Sequence, residues 1–187
     1  MPRRVDRQAY RSDFIFRSTE LFAKEGYTAL TMRAIAEHLG VSTGTLYHYF
    51  PSKEALFMDV VEAVGKRDML SARTEIPQGL STAERALAVL GFVEAMESYF
   101  VQQQLVLMEY FRSRDPEGIR KDKALLKASR FYQQSVAELL GVGQKDAHAI
   151  IIFLEGLLLQ RLYDGGRTRF KDQAPYVEAL LKIGESA

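Results

Sequence analysis

The chain has 187 residues, of which 47% are hydrophobic and 26% charged, and its formal net charge is +1. This composition is typical of a soluble globular protein with a substantial core, built as one large domain or two small ones. The absence of cysteine excludes disulfides and thiolate metal sites, and the cytoplasm is the expected location. No run approaches the ~18 uninterrupted apolar residues of a membrane helix, and no signal peptide is expected.

Charge is unevenly distributed along the chain. Residues 1–53 carry eight lysines and arginines against five acids, whereas the remaining residues carry 17 basic and 19 acidic side chains. Any surface that attracts nucleic acid is therefore expected in the N-terminal third. So small an excess is also compatible with a random scatter of charge, and motifs must decide between the two interpretations.

Apolar residues recur three and four positions apart along nearly the whole chain, and no alternation typical of a strand exceeds a few residues. The sequence therefore predicts an all-α fold of about nine helices. The first four helices are expected at 7–25, 32–39, 43–50 and 53–73. Thr31 and Ser42 are suitable N-caps for the second and third helices, and Pro51 ends the third because the residue before proline disfavours helical geometry.

The second half of the chain begins after a loop at 74–81 that contains both proline and glycine. Ser81 and Glu84 form a capping-box pattern, which opens a helix through Leu105 with a break expected near 101–104. A further helix is expected to end at Phe111. The last three helices are expected at 115–140, 145–164 and 175–183.

Two short helices joined by a tight turn form the most informative feature of the sequence. Ala36 is small enough to let these helices cross closely, Gly40 permits the positive φ of the turn, and Leu46 can dock the second helix on the first. This spacing fits a helix-turn-helix. Because the three residue types are common, an ordinary pair of antiparallel helices remains an alternative at this point.

The outward face of the helix at 43–50 favours DNA binding. Leu46 and Phe50 share the inward face, so the opposite face is short, polar and aromatic at its end. Small and hydroxyl side chains at a helix start can approach base edges, while longer polar side chains can reach phosphates. The predicted DNA-contacting residues are Thr31, Arg33, Ser42, Thr43, Gly44, Thr45, Tyr47, His48, Tyr49 and Lys53.

Several of these residues have a second interpretation. Arg33 is the best candidate for a guanine or phosphate, and Lys53 lies at the start of the fourth helix, where free N–H groups favour an anion. His48 can equally be a solvated surface histidine. Tyr49 can equally be a core ring, because it lies between the groove side and the first helix.

The stretch TMRAIAEHLGVSTGTLYHYFPSKEALF, residues 31–57, resembles the N-terminal DNA-binding module of the TetR family of transcriptional repressors. The resemblance extends from about Ile15 to Val60 and includes the F-x-x-x-G-Y motif at 22–27. It implies an all-helical homodimer with a DNA-binding domain at 1–53 and a ligand-binding and dimerisation domain at 54–187, connected by the fourth helix. The family pattern also implies a phosphate contact for Tyr47.

Catalysis is not expected from this sequence. The serines best placed to act as nucleophiles fit helix caps, and the three histidines show no paired metal-binding spacing. Asp146, His148 and Glu155 do not share one helical face, so they do not form a metal site. The sequence therefore predicts neither an enzyme nor a cofactor.

Residues 91–112 combine methionine and aromatic side chains with glutamines. Adaptable side chains in this number suit a pocket for a small lipophilic or aromatic ligand. A solid core of the same residues explains the pattern nearly as well. The predicted lining residues are Phe92, Met96, Tyr99, Phe100, Gln104, Leu107, Met108, Phe111 and Arg130.

The helix at 145–164 is apolar nearly all round, and one domain core can cover only one of its faces. The uncovered face predicts a homodimer, with an interface of four helices as the simplest arrangement. The predicted interface residues are Ile151, Leu154, Leu158, Leu162, Tyr176 and Leu180.

The chain as a whole is expected to be a repressor that binds a palindromic operator and leaves it when a small ligand binds the repressor. The alternative is an activator or architectural DNA-binding protein with a solid C-terminal core.

Overall fold

The computed structural model of the protein describes the backbone of residues 6–185 and the side chains of residues 6–181. Over this range the chain forms helices and turns without a strand, which confirms the predicted all-α class. The α-helices are α1 (Arg7–Glu25), α2 (Met32–Leu39), α3 (Thr43–Tyr49), α4 (Lys53–Glu75), α5 (Thr82–Ala95), α6 (Glu97–Arg112), α7 (Pro116–Arg120), α8 (Lys123–Leu140), α9 (Gln144–Asp164) and α10 (Ala174–Glu185), with a 3-10 helix at Phe170–Gln173.

The described residues contain ten α-helices where about nine were predicted: one predicted break lies elsewhere, and one predicted helix is divided in two. The break between α5 and α6 lies at Met96, earlier than the predicted 101–104. The helix predicted at 115–140 is divided into α7 and α8. Asp122 causes this division, because its Oδ1 accepts hydrogen bonds from the backbone N–H groups of Ala124 and Leu125 and so caps α8.

Helix caps follow the sequence closely elsewhere. The side chains of Thr31 and Ser42 accept hydrogen bonds from backbone N–H groups at the starts of α2 and α3. Ser81 and Glu84 form the predicted capping box at the start of α5. Each cap satisfies N–H groups that lack a partner within their helix, which fixes where the helix begins.

The chain forms two compact units, each assembled from segments that are distant in sequence. The first unit consists of the chain up to Lys66 together with Gln103–Leu125. The second consists of Arg67–Gln102 and the chain from Leu126 onward. These units are defined by packing, and the functional division at residue 53 stays a prediction.

Aromatic rings dominate the core of the first unit. Tyr27 lies among Phe22, Phe57 and Tyr110, with ring centroids between 4.8 and 6.2 Å apart. Val106 and Tyr110 belong to this core although they come from α6. The segment 103–125 is therefore part of the hydrophobic core on which α1–α4 fold.

The second unit has its own core, in which α10 packs against α5 and α9. Leu140, Ile150, Phe170 and Val177 are fully buried there. Within the described range, no helix has the length and apolar character needed to cross a membrane.

Candidate nucleic-acid interface

The connection between α2 and α3 has the geometry of a helix-turn-helix. Gly40 adopts the left-handed conformation, with φ 73° and ψ 29°, and its N–H donates to the carbonyl oxygens of Ala36 and Glu37. Ser42 then caps α3, its Oγ accepting a hydrogen bond of 3.0 Å from the N–H of Thr45. Leu46 is fully buried and anchors α3 on the core.

The opposite face of α3 is exposed. Gly44, Thr45, Tyr47 and His48 all lie on the surface, and half of the Tyr47 side chain is open to solvent. Thr43 is half-buried at the start of the helix. The face is narrow and polar, with one large ring near its end, as the base-reading face of a recognition helix would be.

Thr31 and Ser42 are engaged in capping, although the sequence predicts DNA contacts for both. Thr31 Oγ1 accepts a hydrogen bond of 3.1 Å from the N–H of Ala34. Ser42 Oγ also lies 2.8 Å from Thr45 Oγ1. Their first role is therefore to fix the starts of α2 and α3, next to Arg33 and Thr43.

Tyr49 differs from the other predicted contacts because its ring packs on α1. It meets Phe14 edge to face, with ring centroids 5.2 Å apart, and the guanidinium of Arg7 lies 5.8 Å from its centroid. The side chain is half-buried. These contacts favour the interpretation of Tyr49 as a packing residue over that of a DNA contact.

Lys53 also has a role that the sequence did not reveal. Its Nζ donates hydrogen bonds to the carbonyl oxygens of Tyr27 and Leu30, at 2.9 and 2.8 Å, and lies 4.1 Å from the centroid of the Tyr27 ring. Burial lowers the pKa of Lys53. Residues 26–30 form the α1–α2 turn, and the ammonium of Lys53 binds its carbonyl groups. Lys53 therefore stabilises this turn, whereas the sequence predicted that it contacts a phosphate.

Three arginines of α1 are likewise engaged within the first unit. Arg17 donates to the carbonyl oxygens of His38 and Leu39 at the end of α2, both at 3.0 Å. Arg7 donates to the carbonyl of His48 near the end of α3, and Arg11 pairs with Asp59. The first two stabilise helix ends where carbonyl groups lack partners.

The excess positive charge of the N-terminal third is consequently used in large part to hold the helix-turn-helix together. Arg3 and Arg4 lie outside the described residues. Arg33, by contrast, is exposed in the first turn of α2. It remains the arginine best placed for DNA in the described part of this segment.

The residues predicted to line a ligand pocket are divided between the two cores. Leu107 and Phe111 pack against the first core, whereas Phe92 and Phe100 pack against the second. Gln104 and Met96 are half-buried, and Met108 and Arg130 are exposed. The role of this set as one ligand lining stays a prediction.

Tyr99 belongs to a polar cluster of the second unit that the sequence did not indicate. Its hydroxyl donates to the buried carboxylate of Asp68 at 2.5 Å and accepts from Arg67 at 2.6 Å, and Tyr132 also donates to Asp68 at 3.1 Å. Burial, followed by the hydrogen bond to Asp68, raises the pKa of Tyr99 to about 12.

Two clefts formed by described residues are lined by side chains other than the predicted pocket residues. One, of about 380 Å³, lies in the first unit and is bordered by Arg11, Tyr49, Met58 and Tyr110. The other, of about 350 Å³, lies in the second unit near Arg85. Across the described residues, no three acidic or histidine side chains converge in a way that could hold a metal ion.

The predicted dimer face needs one correction. Leu158 is only 4% exposed and belongs to the core of the second unit, so it is not available to a partner. Leu162 and Tyr176 are exposed, and Ile151, Leu154 and Leu180 are half-buried. Two further exposed apolar residues of α9, missed by sequence reasoning, are Ile152 and Tyr163.

Comparison with known proteins relates this geometry to a family. Residues 17–60, which contain the second half of α1, all of α2 and α3 and the start of α4, match the family described as bacterial regulatory proteins, tetR family. The repressor KstR of Rhodococcus jostii (strain RHA1) is 40% identical over 70 residues, which are 37% of this chain and 32% of that protein. The chain thus matches about a third of the length of this curated relative.

Solved structures resemble the chain over nearly its whole length. The multidrug binding protein EbrR, complexed with imidazole, has a TM-score of 0.69 at 15% identity and covers 91% of this chain and 94% of its own. The regulator FadR of Bacillus subtilis, in complex with stearoyl-CoA, has a TM-score of 0.61 at 17% identity and covers 91% of this chain and 97% of its own. At these identities the likeness is one of fold.

The matched segment contains the turn, the caps and the exposed face of α3 described above. Proteins of this family are regulators rather than enzymes. The helix-turn-helix segment of the chain, residues 17–60, is thus the part that matches the tetR family of bacterial regulatory proteins.

Proposed function

We propose that the protein is a transcriptional repressor that acts in the cytoplasm as a homodimer on a palindromic DNA operator. The observation that carries the proposal is the exposed face of α3, with Gly44, Thr45 and Tyr47 outward and Leu46 anchored in the core. In a helix-turn-helix this face enters the major groove, and two such helices in a dimer read half-sites about 34 Å apart.

The outward residues divide into two groups by what they can reach. Thr43 and Arg33 lie at the starts of α3 and α2, where side chains approach base edges or the neighbouring phosphates. Tyr47 lies further along α3 and suits a phosphate contact. The first group would then set which sequence is preferred, and Tyr47 would contribute to affinity for every sequence.

Selection of duplexes from a random-sequence library tests this assignment. The wild-type protein should enrich a palindrome, and Arg33→Ala or Thr43→Ala should enrich a different one. Tyr47→Phe should weaken binding to all duplexes by a similar factor while leaving the preferred sequence unchanged. Enrichment of the wild-type palindrome by both Arg33→Ala and Thr43→Ala would count against base reading by these residues.

Release by a small lipophilic or aromatic ligand is the second part of the proposal. Proteins of the same fold have been solved with stearoyl-CoA and with imidazole. In this chain, Phe92, Phe100 and Tyr99 are part-buried in the second unit beside the Asp68 cluster, which offers both apolar and polar groups to a ligand. Mass spectrometry of the protein purified from its native cell tests for such a molecule.

A second candidate is a regulator or architectural DNA-binding protein whose second unit is a solid core. The observation that favours it is that neither described cleft is lined by the predicted pocket residues. Absence of a co-purified molecule, together with operator binding that extracts of small metabolites leave unchanged, would support this candidate over the ligand-released repressor.

A further inference from the structure

The α1–α2 turn is held by two side chains of opposite charge from distant parts of the chain. Lys53 of α4 donates to the carbonyl oxygens of Tyr27 and Leu30. Glu109 of α6 accepts a hydrogen bond of 2.9 Å from the backbone N–H of Thr28 through its Oε2. The turn therefore has its carbonyl groups bound by a cation and one N–H bound by an anion, which are the stronger kinds of hydrogen bond.

The carboxylate of Glu109 is also packed tightly against the turn. Gly26 has a φ of 79°, and a Cβ built on it would lie 2.7 Å from both carboxylate oxygens. Burial lowers the pKa of Lys53, and the negative charges of Glu54 and Glu109 oppose this effect by favouring the charged ammonium. Lys53 and Glu109 thus face the same short stretch of backbone and attract each other.

The position of this turn determines where α2 begins. Thr31, the N-cap of α2, follows the turn directly, and Arg33 lies in the first turn of that helix. The connection from α2 to α3 is fixed by the hydrogen bond that the N–H of Val41 donates to the carbonyl oxygen of Ala36. A displacement of the α1–α2 turn would therefore move the exposed face that reads DNA.

We propose that Glu109, together with Lys53, is a positioning residue for DNA binding. Glu109 lies in α6, outside the segment 17–60 that matches the family, and its carboxylate contacts that segment at Gly26 and Thr28 of the α1–α2 turn. The inference rests on the proposed function, because it concerns the placement of the DNA-reading helices.

The two roles that an acidic residue can have near a DNA-binding unit predict opposite results. A glutamate that acts only through its charge repels the phosphates, so its removal strengthens DNA binding. A glutamate that positions the turn weakens binding when it no longer reaches Thr28. Glu109→Asp separates these roles, because it keeps the charge but is shorter by one methylene group.

The test measures binding of each variant to the duplex that the wild-type protein selects from a random library, at several salt concentrations. We expect Glu109→Asp to lose about tenfold in affinity with an unchanged salt slope, since no phosphate contact is removed. Glu109→Gln keeps the length and an acceptor oxygen, so its affinity should equal or exceed that of the wild type. Lys53→Ala should also lose affinity without the decrease of about one unit in salt slope that a phosphate contact would give.

Folding and function are separated by two further measurements. Dissociation constants are calculated on the folded fraction, determined by urea unfolding, and amide exchange at Thr28 reports whether its hydrogen bond is lost. Glu117→Asp is the matched control, because Glu117 is an exposed acid of the same unit that pairs with Arg120 and Lys121. It should leave affinity within about twofold of the wild type.

The inference is overturned if folded Glu109→Asp binds the selected duplex as tightly as the wild type, or if Lys53→Ala loses about one unit of salt slope. Failure of the proposed function gives a different result, because the wild-type protein would then select no duplex at all.

Discussion

Gly26 shows how a single residue depends on a side chain more than eighty positions away in the sequence. It ends α1 with φ 79° and ψ 170°, a backbone conformation that residues with a Cβ rarely adopt. The space that a Cβ would occupy is filled by the carboxylate of Glu109. Both the backbone conformation and the packing therefore require glycine at this position.

We expect Gly26→Ala to lower the free energy of unfolding by about 2–3 kcal/mol, because it combines backbone strain with displacement of Glu109. Urea unfolding followed by circular dichroism measures this change. Gly40→Ala is the control: Gly40 also has a positive φ, of 73°, but a Cβ built there meets nothing within 4 Å. It should cost only the left-handed backbone strain, about 1 kcal/mol. Equal losses for the two variants would contradict the packing role of Glu109.

At the scale of elements, the ends of α2 and α3 are stabilised by α1. The guanidinium of Arg17 binds the last carbonyl groups of α2, and Arg7 binds the carbonyl of His48. These contacts place a positive charge at the negative end of each helix dipole. Helices as short as α2 and α3 gain little stability from their own hydrogen bonds and depend on such contacts.

Arg17→Met should therefore lower the stability of the first unit by about 1–2 kcal/mol, since it keeps the apolar stem but removes two hydrogen bonds from a partly exposed charged group. Amide exchange should increase selectively near the end of α2. Lys24→Met is the control, because Lys24 is exposed near the end of α1 and pairs with its neighbour Glu25. An Arg17→Met protein as stable as the Lys24→Met protein would show that Arg17 contributes nothing to α2.

The elements that the sequence predicted well are those bounded by local signals. Thr31, Gly40, Ser42 and Ser81 act within three or four residues of their own positions, so their helices begin or end as expected. The division at Asp122 was missed although aspartate is a common N-cap. Its second contact, from the hydroxyl of Tyr110, joins separate elements and could not be inferred from local sequence.

The candidate site shows the same limit. The outward face of α3 follows from helical periodicity, because Leu46 and Phe50 mark the inward side. The inward roles of Lys53 and Arg17 depend on carbonyl groups more than twenty residues away along the chain. The sequence alone does not distinguish a basic residue that binds a phosphate from one that binds carbonyl groups at the end of a helix.

At the scale of the whole molecule, the exposed apolar surface of the second unit is concentrated on α9. Ile152, Gly156 and Tyr163 lie four and seven positions apart along α9 and are exposed, as is the neighbouring Leu162. Large exposed apolar surfaces on a regulator are typical of protein interfaces. The proposed dimer face therefore keeps Leu162 and Tyr176 of the prediction and includes Ile152 and Tyr163 in place of the buried Leu158.

Ile152→Glu should convert the proposed homodimer into monomers. A two-fold axis places the substitution twice in one interface, and burial of two unpaired carboxylates should raise the dissociation constant of the dimer at least ~100-fold. Sedimentation velocity at micromolar concentration measures the change.

Leu70→Glu is the matched control. Leu70 is 68% exposed in the same unit, but it belongs to α4 and not to the stripe on α9. Because operator affinity of a dimer depends on both heads, Ile152→Glu should also weaken DNA binding while Leu70→Glu should not. A dimer that persists in Ile152→Glu would show that the stripe on α9 is not the interface, and monomers in Leu70→Glu would place that interface on α4 instead.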